Sequence, residues 1–139
     1  MSRMIFVNLP VTDLDRAKAF YEGLGFSINP DFSDDTGACV VISDTIYLMI
    51  LTLEKFGSFT TLPTGEPSKQ VSVMTALSCD DRAEVDAMMD RALKHGGAEP
   101  KPASDYGFMY SRTFTDPDGN WFEPFYMDME AALKVSAQR

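Results

Sequence analysis

A strand-like apolar run followed by an aspartate-opened helix occurs twice in this chain, and that duplication restricts the possible folds more than any other feature. The first copy is "MIFVNLPV" leading into "TDLDRAKAFYEGLGF"; the second is Val71 to Ser78 leading into "DDRAEVDAMMDRALKHGG". Asp13 and Asp80 open the two helices, 80 − 13 = 67 residues apart, and each half then supplies three more strand-like runs. Two βαβββ modules in tandem predict an α+β fold, with half-barrel sheets side by side around a concave cup and the helices outside. A chain of 139 residues suits one domain. Module one covers about 1–59, a connector about 60–70, module two about 71–128 and a short terminal helix about 129–139.

Local patterns fill in the modules. In the first strand, Met4 to Val11, alternation puts Phe6 and Asn8 on one face and Val7 and Leu9 on the other. Thr12 is placed to cap the first helix with Asp15 at the reciprocal capping position, and Gly25 ends it. Further strands are expected over Phe26 to Phe32, Ala38 to Ser43 and Ile46 to Thr52, then over Ala98 to Pro102, Phe108 to Thr115 and Asn120 to Met127. The turn "DPDGN" has Pro at its first corner and Gly where a left-handed residue is needed, which predicts a type I turn with a G1 bulge pairing Asp116 with Asn120. Counting outward sets Thr113 opposite Glu123 and Ser111 opposite Phe125. Ser111, Thr113, Trp121, Glu123 and Phe125 then share one face, and Tyr110, Arg112, Phe114 and Phe122 the other. Without the bulge, Arg112 would lie across from Glu123 as an ion pair.

A net charge of −9 with scattered Lys and Arg opposes binding to nucleic acid or to anionic lipid. No apolar run approaches the roughly 18 residues of a membrane span. The N-terminus carries no long apolar core with a cleavage site, so a cytoplasmic location is expected. Cys39 and Cys79 stand in apolar contexts without a CxxC and read as buried thiols. The only histidine, His95, falls in "KHGG" at a helix end, where a structural role is the ordinary one.

The runs "VNLPVTDLDRAKAFYEGLGF", "LSCDDRAEVD" and above all "YSRTFTDPDGNWFE" resemble the vicinal-oxygen-chelate superfamily of glyoxalases, bleomycin- and fosfomycin-resistance proteins and extradiol dioxygenases. Within it, the chain is similar to the branch labelled predicted lactoylglutathione lyase. The resemblance covers about Met4 to Asp128 and implies a homodimer. It also implies a metal site drawn from the first strand of each module and a Glu in the last strand. Those positions fall on Phe6, Met74 and Glu123, with a further one on Leu48 or Met49. Only Glu123 is a hard donor there. A divalent ion normally keeps about three protein ligands, so no cofactor is expected and a divalent metal is disfavoured.

By this reading the cup is lined by Phe6, Asn8, Met49, Met74, Ser111, Thr113, Trp121, Glu123 and Phe125. Apolar walls with a few polar groups are the makeup of a small-molecule site, and also of a packed core seam. Three readings follow. One is a protein that binds an apolar or aromatic small molecule over a degenerate metal site. Another is a lyase or isomerase with Glu123 as general base and Asn8, Ser111 or Thr113 polarising a carbonyl. The third is a structural or interaction protein whose cup is filled. Phe56 and Phe59 in "LEKFGSF" fit a lid over the mouth, or caps on the core or on a dimer interface.

Overall fold

Alternation along "IFVNLPV" becomes β1, Ile5–Val11, in the computed structural model, which describes residues 2–137. Leu9 and Val11 are buried beneath the helices, whereas Phe6 and Asn8 on the alternate face are exposed. The first helix, α1, spans Leu14–Gly23. Its N-cap is Asp13, whose carboxylate accepts from the Arg16 N–H at 3.0 Å, and not Thr12. The Thr12 N–H and hydroxyl both donate instead to Asp118 Oδ1, at 2.9 and 2.6 Å, from the other module. After Gly25, held at φ +103°, come β2 (Ser27–Asn29), β3 (Gly37–Val41), β4 (Ile46–Thr52) and a short helix α2 (Leu53–Ser58). The expected strand to Phe32 stops early because Pro30 opens a 3-10 turn under an Asn29 cap. This sheet has the order β1-β4-β3-β2 with β1 parallel to β4, so Pro10 lies on an edge strand where its missing N–H is tolerated.

The second module repeats the plan with β5 (Met74–Ser78), α3 (Arg82–Lys94), β6 (Ser104–Asp105), β7 (Met109–Ser111), β8 (Phe114–Thr115) and β9 (Trp121–Met127). Here the cap is Asp81, so the two helix caps stand 81 − 13 = 68 residues apart, one more than the sequence pattern suggests. Asp80, just before the cap, serves the same end differently: its N–H donates to the Glu84 carboxylate, while the Glu84 N–H donates to Asp81 Oδ1. The sheet order is β5-β9-β7-β6, with β8 also on β9. The expected strand over Ala98 to Pro102 shrinks to a single bridge from Ala98 to Thr115, since Pro100 and Pro102 have no N–H to give. The expected continuous strand to Thr115 is interrupted at Arg112 and Thr113. Arg112 falls opposite Pro124, whose oxygen accepts from the Arg112 N–H at 3.1 Å but which returns no donor. The chain closes with α4, Met129–Ala137; positions 138–139 of the expected terminal helix lie outside the described residues.

One core serves both modules. Phe20 and Tyr21 of α1 meet Phe114 and Phe122 of the second sheet, and the latter two rings stack at 5.2 Å between centroids. Such a stacked pair contributes about 0.5–1.5 kcal/mol beyond the burial of its two rings. Leu48 and Ile50 complete the core from the first sheet, and Val85, Met89 and Ala92 from α3. Cys39 and Cys79 are buried and unbridged. No described helix is long and apolar enough to cross a membrane.

Candidate functional site

The "DPDGN" turn is the joint on which the site is built. Asp116 and Asn120 pair through an N–H to carbonyl bond of 2.9 Å, and Gly119, at φ +97°, takes the left-handed position that the G1 bulge requires. Tyr21, fully buried, donates its hydroxyl to Asp116 Oδ2 at 2.8 Å, and the Asn120 amide bridges Asp116 to the Pro10 carbonyl. Burial pushes the Tyr21 phenol well above its ordinary range, and the neighbouring Asp116 carboxylate adds to the shift. Asp116 is also raised by burial, against the opposing pull of its hydrogen bonds from Asn120 and Tyr21. Asp118 receives Thr12 on one oxygen; its other oxygen is buried with no partner among the described residues.

From this turn the register runs as the sequence predicts. Ser111 pairs with Phe125 and Phe114 with Phe122, which sets Thr113 across from Glu123. Trp121, Glu123 and Phe125 therefore lie on the face opposite the buried Phe122, together with Ser111 and Thr113. On β5, Met74 pairs with Trp121 and Ala76 with Glu123. On the first sheet, Phe6 stacks on Tyr47 at 4.7 Å, and Asn8 pairs with Met49. Each sheet thus presents, on the side away from the buried core, a face bearing part of the expected cup. Phe6 is 47% and Met74 60% exposed, while Thr113 is buried and Glu123 half-buried.

These residues do not fit a divalent metal. The side chains flanking Glu123 along β9 are Trp121 and Phe125, and its sheet neighbours are Ala76 and Thr113. Among the described residues no three His, Cys, Asp or Glu side chains group closely enough to hold an ion. Arg112 turns to the other side of the sheet, where its guanidinium pairs with Glu99 and Asp86, both at 2.9 Å. His95 caps the end of α3, and its ring lies where a side chain on Gly23 would be, at the end of α1.

The structure brings two of the nine expected residues, Asn8 and Trp121, into one cavity of about 190 Å³. Its other walls include Phe56 of α2, the connector from Gly65 to Gln70, and Val71 to Val73, which the sequence pattern assigned to a strand but which precede β5. The connector is seated by close packing. A Cβ on Gly119 would stand 2.8 Å from the Ser68 backbone, so only glycine admits the contact. Sequence reasoning placed Phe56 near the mouth but gave the connector no role, because "TGEPSKQ" carries no periodicity to reveal a facing side. The adjacent glycine of the bulged turn, a point of close backbone approach, was the available signal.

The model of the Glyoxalase/Bleomycin resistance protein/Dioxygenase superfamily matches residues 3–123 of the chain. No curated protein matches. Among solved structures, a hypothetical protein from S. aureus is similar at 25% identity and TM-score 0.76, over 91% of this chain and 95% of that one. A glyoxalase/bleomycin resistance protein/dioxygenase family enzyme from Burkholderia phytofirmans shares 16% identity at TM-score 0.74, over 91% and 99%. A genomically encoded fosfomycin resistance protein from Listeria monocytogenes shares 19% at TM-score 0.67, over 94% and 97%. At the last two identities the likeness shows the fold.

Proposed function

Because the chain belongs to the Glyoxalase/Bleomycin resistance protein/Dioxygenase superfamily, we propose that it uses this scaffold to bind a small apolar or aromatic molecule without a bound divalent metal. The observation that carries the reading is the chemistry of the cup faces, where Phe6 and Met74 stand at the positions that the family resemblance would fill with hard donors. The surrounding Tyr47, Met49, Trp121 and Phe125 supply apolar and aromatic contact for a ligand. Metal analysis of protein purified without chelator tests it. Substoichiometric metal is expected, and a stoichiometric ion released by Glu123→Gln would overturn it.

The working form is a homodimer in which a second copy covers the exposed apolar groups of these faces, among them Phe6 and Met74. Small-angle scattering should report twice the chain mass. A monomer at assay concentration would remove this part of the reading.

The retained carboxylate favours a second reading, a lyase or isomerase of the glyoxalase type. Glu123 is half-buried between two aromatic residues with the Thr113 hydroxyl group across the ladder. That suits a base removing a proton beside a carbonyl, which Asn8, Ser111 or Thr113 would polarise. Turnover of 2-oxoaldehyde hemithioacetals, lost in Glu123→Gln, is the expected sign; activity untouched by that substitution rules the role out.

A further inference from the structure

We propose that the cavity beneath the connector is a second, separate binding site, selective for an uncharged single-ring ligand whose edge both donates and accepts hydrogen bonds. It shares only Asn8 and Trp121 with the residues of the expected cup, and it does not depend on what Glu123 does.

Size sets the first limit. An enclosed cavity of about 150 Å³ holds benzene; the present one, at about 190 Å³, opens to solvent beside Asn8, Gln70, Val71 and Val73, so it seats one ring with its substituent toward the mouth. The ring has aromatic partners in Phe56 and Trp121 and apolar ones in Pro10, Val71 and Val73.

Polarity sets the second limit. The Asn8 and Gln70 amides and the Thr75 hydroxyl line the cavity and make no side-chain hydrogen bond to other described residues. Each amide offers both a donor and an acceptor. The third amide in the lining, Asn120, is already committed to Asp116 and the Pro10 carbonyl. A ligand carrying a carboxamide or lactam edge can donate to and accept from either open amide.

Charge sets the third. The lining contains one ionisable side chain, Glu66, which is largely exposed and pairs with Lys69 at 3.1 Å. An anion finds no cationic group in the wall, and the chain's net charge of −9 opposes its approach. A cation entering the cavity loses water without gaining an unpaired carboxylate. A neutral ligand avoids both costs.

Benzamide, benzoate and benzamidine share a ring and a shape but are neutral, anionic and cationic. Trp121 is the only tryptophan, so its fluorescence reports a ring held at this wall or on the cup face that shares it, and substitutions separate the two. Titration into the intact protein should give saturable quenching by benzamide and at least a roughly tenfold weaker response to the two ions, about 1.4 kcal/mol. Asn8→Ala and Gln70→Ala, both at exposed positions and checked by thermal melting, should each weaken benzamide several-fold; Glu123→Gln should leave it unchanged. Equal response to all three compounds, or no saturation by benzamide, overturns the proposal. So does a loss in Glu123→Gln without one in Gln70→Ala, which would move the ring to the cup.

Discussion

The two modules share a plan and differ in what holds their outer strands. In module one, β3 is continuous, its first four residues are buried, and it pairs along five residues with β4. In module two the corresponding strand is broken into β7 and β8, and its outer neighbour β6 is two residues long. Charge takes over where the ladder lapses. Arg112 joins Glu99 to Asp86, Tyr110 donates to Asp86 at 2.6 Å, and Arg82 grips Asp105 through two bonds while lying over the Tyr110 ring. Among the described residues no ion pair lies within module one. The difference traces to Pro124, which denies its neighbour a donor in the middle of β9. A duplicated fold can keep its outline while one copy exchanges backbone pairing for side-chain pairing.

The largest perturbation tests whether the copies are separable at all. Phe122→Ala empties a buried site that touches both Phe114 and Tyr21 and should cost about 3–5 kcal/mol. With a shared core, guanidinium unfolding should stay a single transition shifted to lower denaturant; two resolved transitions would break the picture of one core. Next comes Arg112→Ala, which leaves Glu99 and Asp86 without their half-buried partner. A loss of about 1.5–3 kcal/mol is expected, with faster amide exchange in β6 and β7 and none of that loosening in β2 and β3. A uniform response would erase the distinction between the modules.

Pro124→Val should be smaller, about 1 kcal/mol or less in either direction, as a restored donor competes with altered packing. Its diagnostic is structural: the Arg112 carbonyl should gain a partner and β7 and β8 should merge, visible as new protected amides. The smallest effect is that of acid. Asp105 is held down to about 2, against an ordinary 3.8, by the Arg82 guanidinium and the Gly107 N–H. A carboxylate with its folded value depressed contributes stability above 3.8 that is lost as pH falls toward about 2, so β6 should fray over that interval. Asp34 in module one is also lowered, by the Thr36 hydroxyl and N–H. It sits in the turn before β3, so acid should loosen that turn and spare the strand.

Helices and long strands were legible because their apolar spacing is local, and β4 falls where alternation put it, at Ile46–Thr52. The bulged turn was legible too, since Pro117 and Gly119 admit few alternatives, and with it came the facing of Glu123 and Arg112. What escaped was decided at a distance. Thr12 looks like a cap, but its hydroxyl is claimed by an aspartate 106 residues away. The break at Arg112 is written in Pro124, twelve residues on, and is visible only once the register is known. For the site, alternation and the bulged turn set the faces of the first strand and the last hairpin and the family resemblance added Met49 and Met74, whereas a cavity walled by the connector depends on where an aperiodic segment comes to rest.

The interlock of Thr12 and Tyr21 with Asp118 and Asp116 has a consequence for how such chains can be rearranged. A hybrid that joins this N-terminal half to a relative's C-terminal half would inherit a phenol and a threonine cut to fit one particular pair of acids. Unless all four letters travel together, the graft should come apart at its hinge before either sheet is lost.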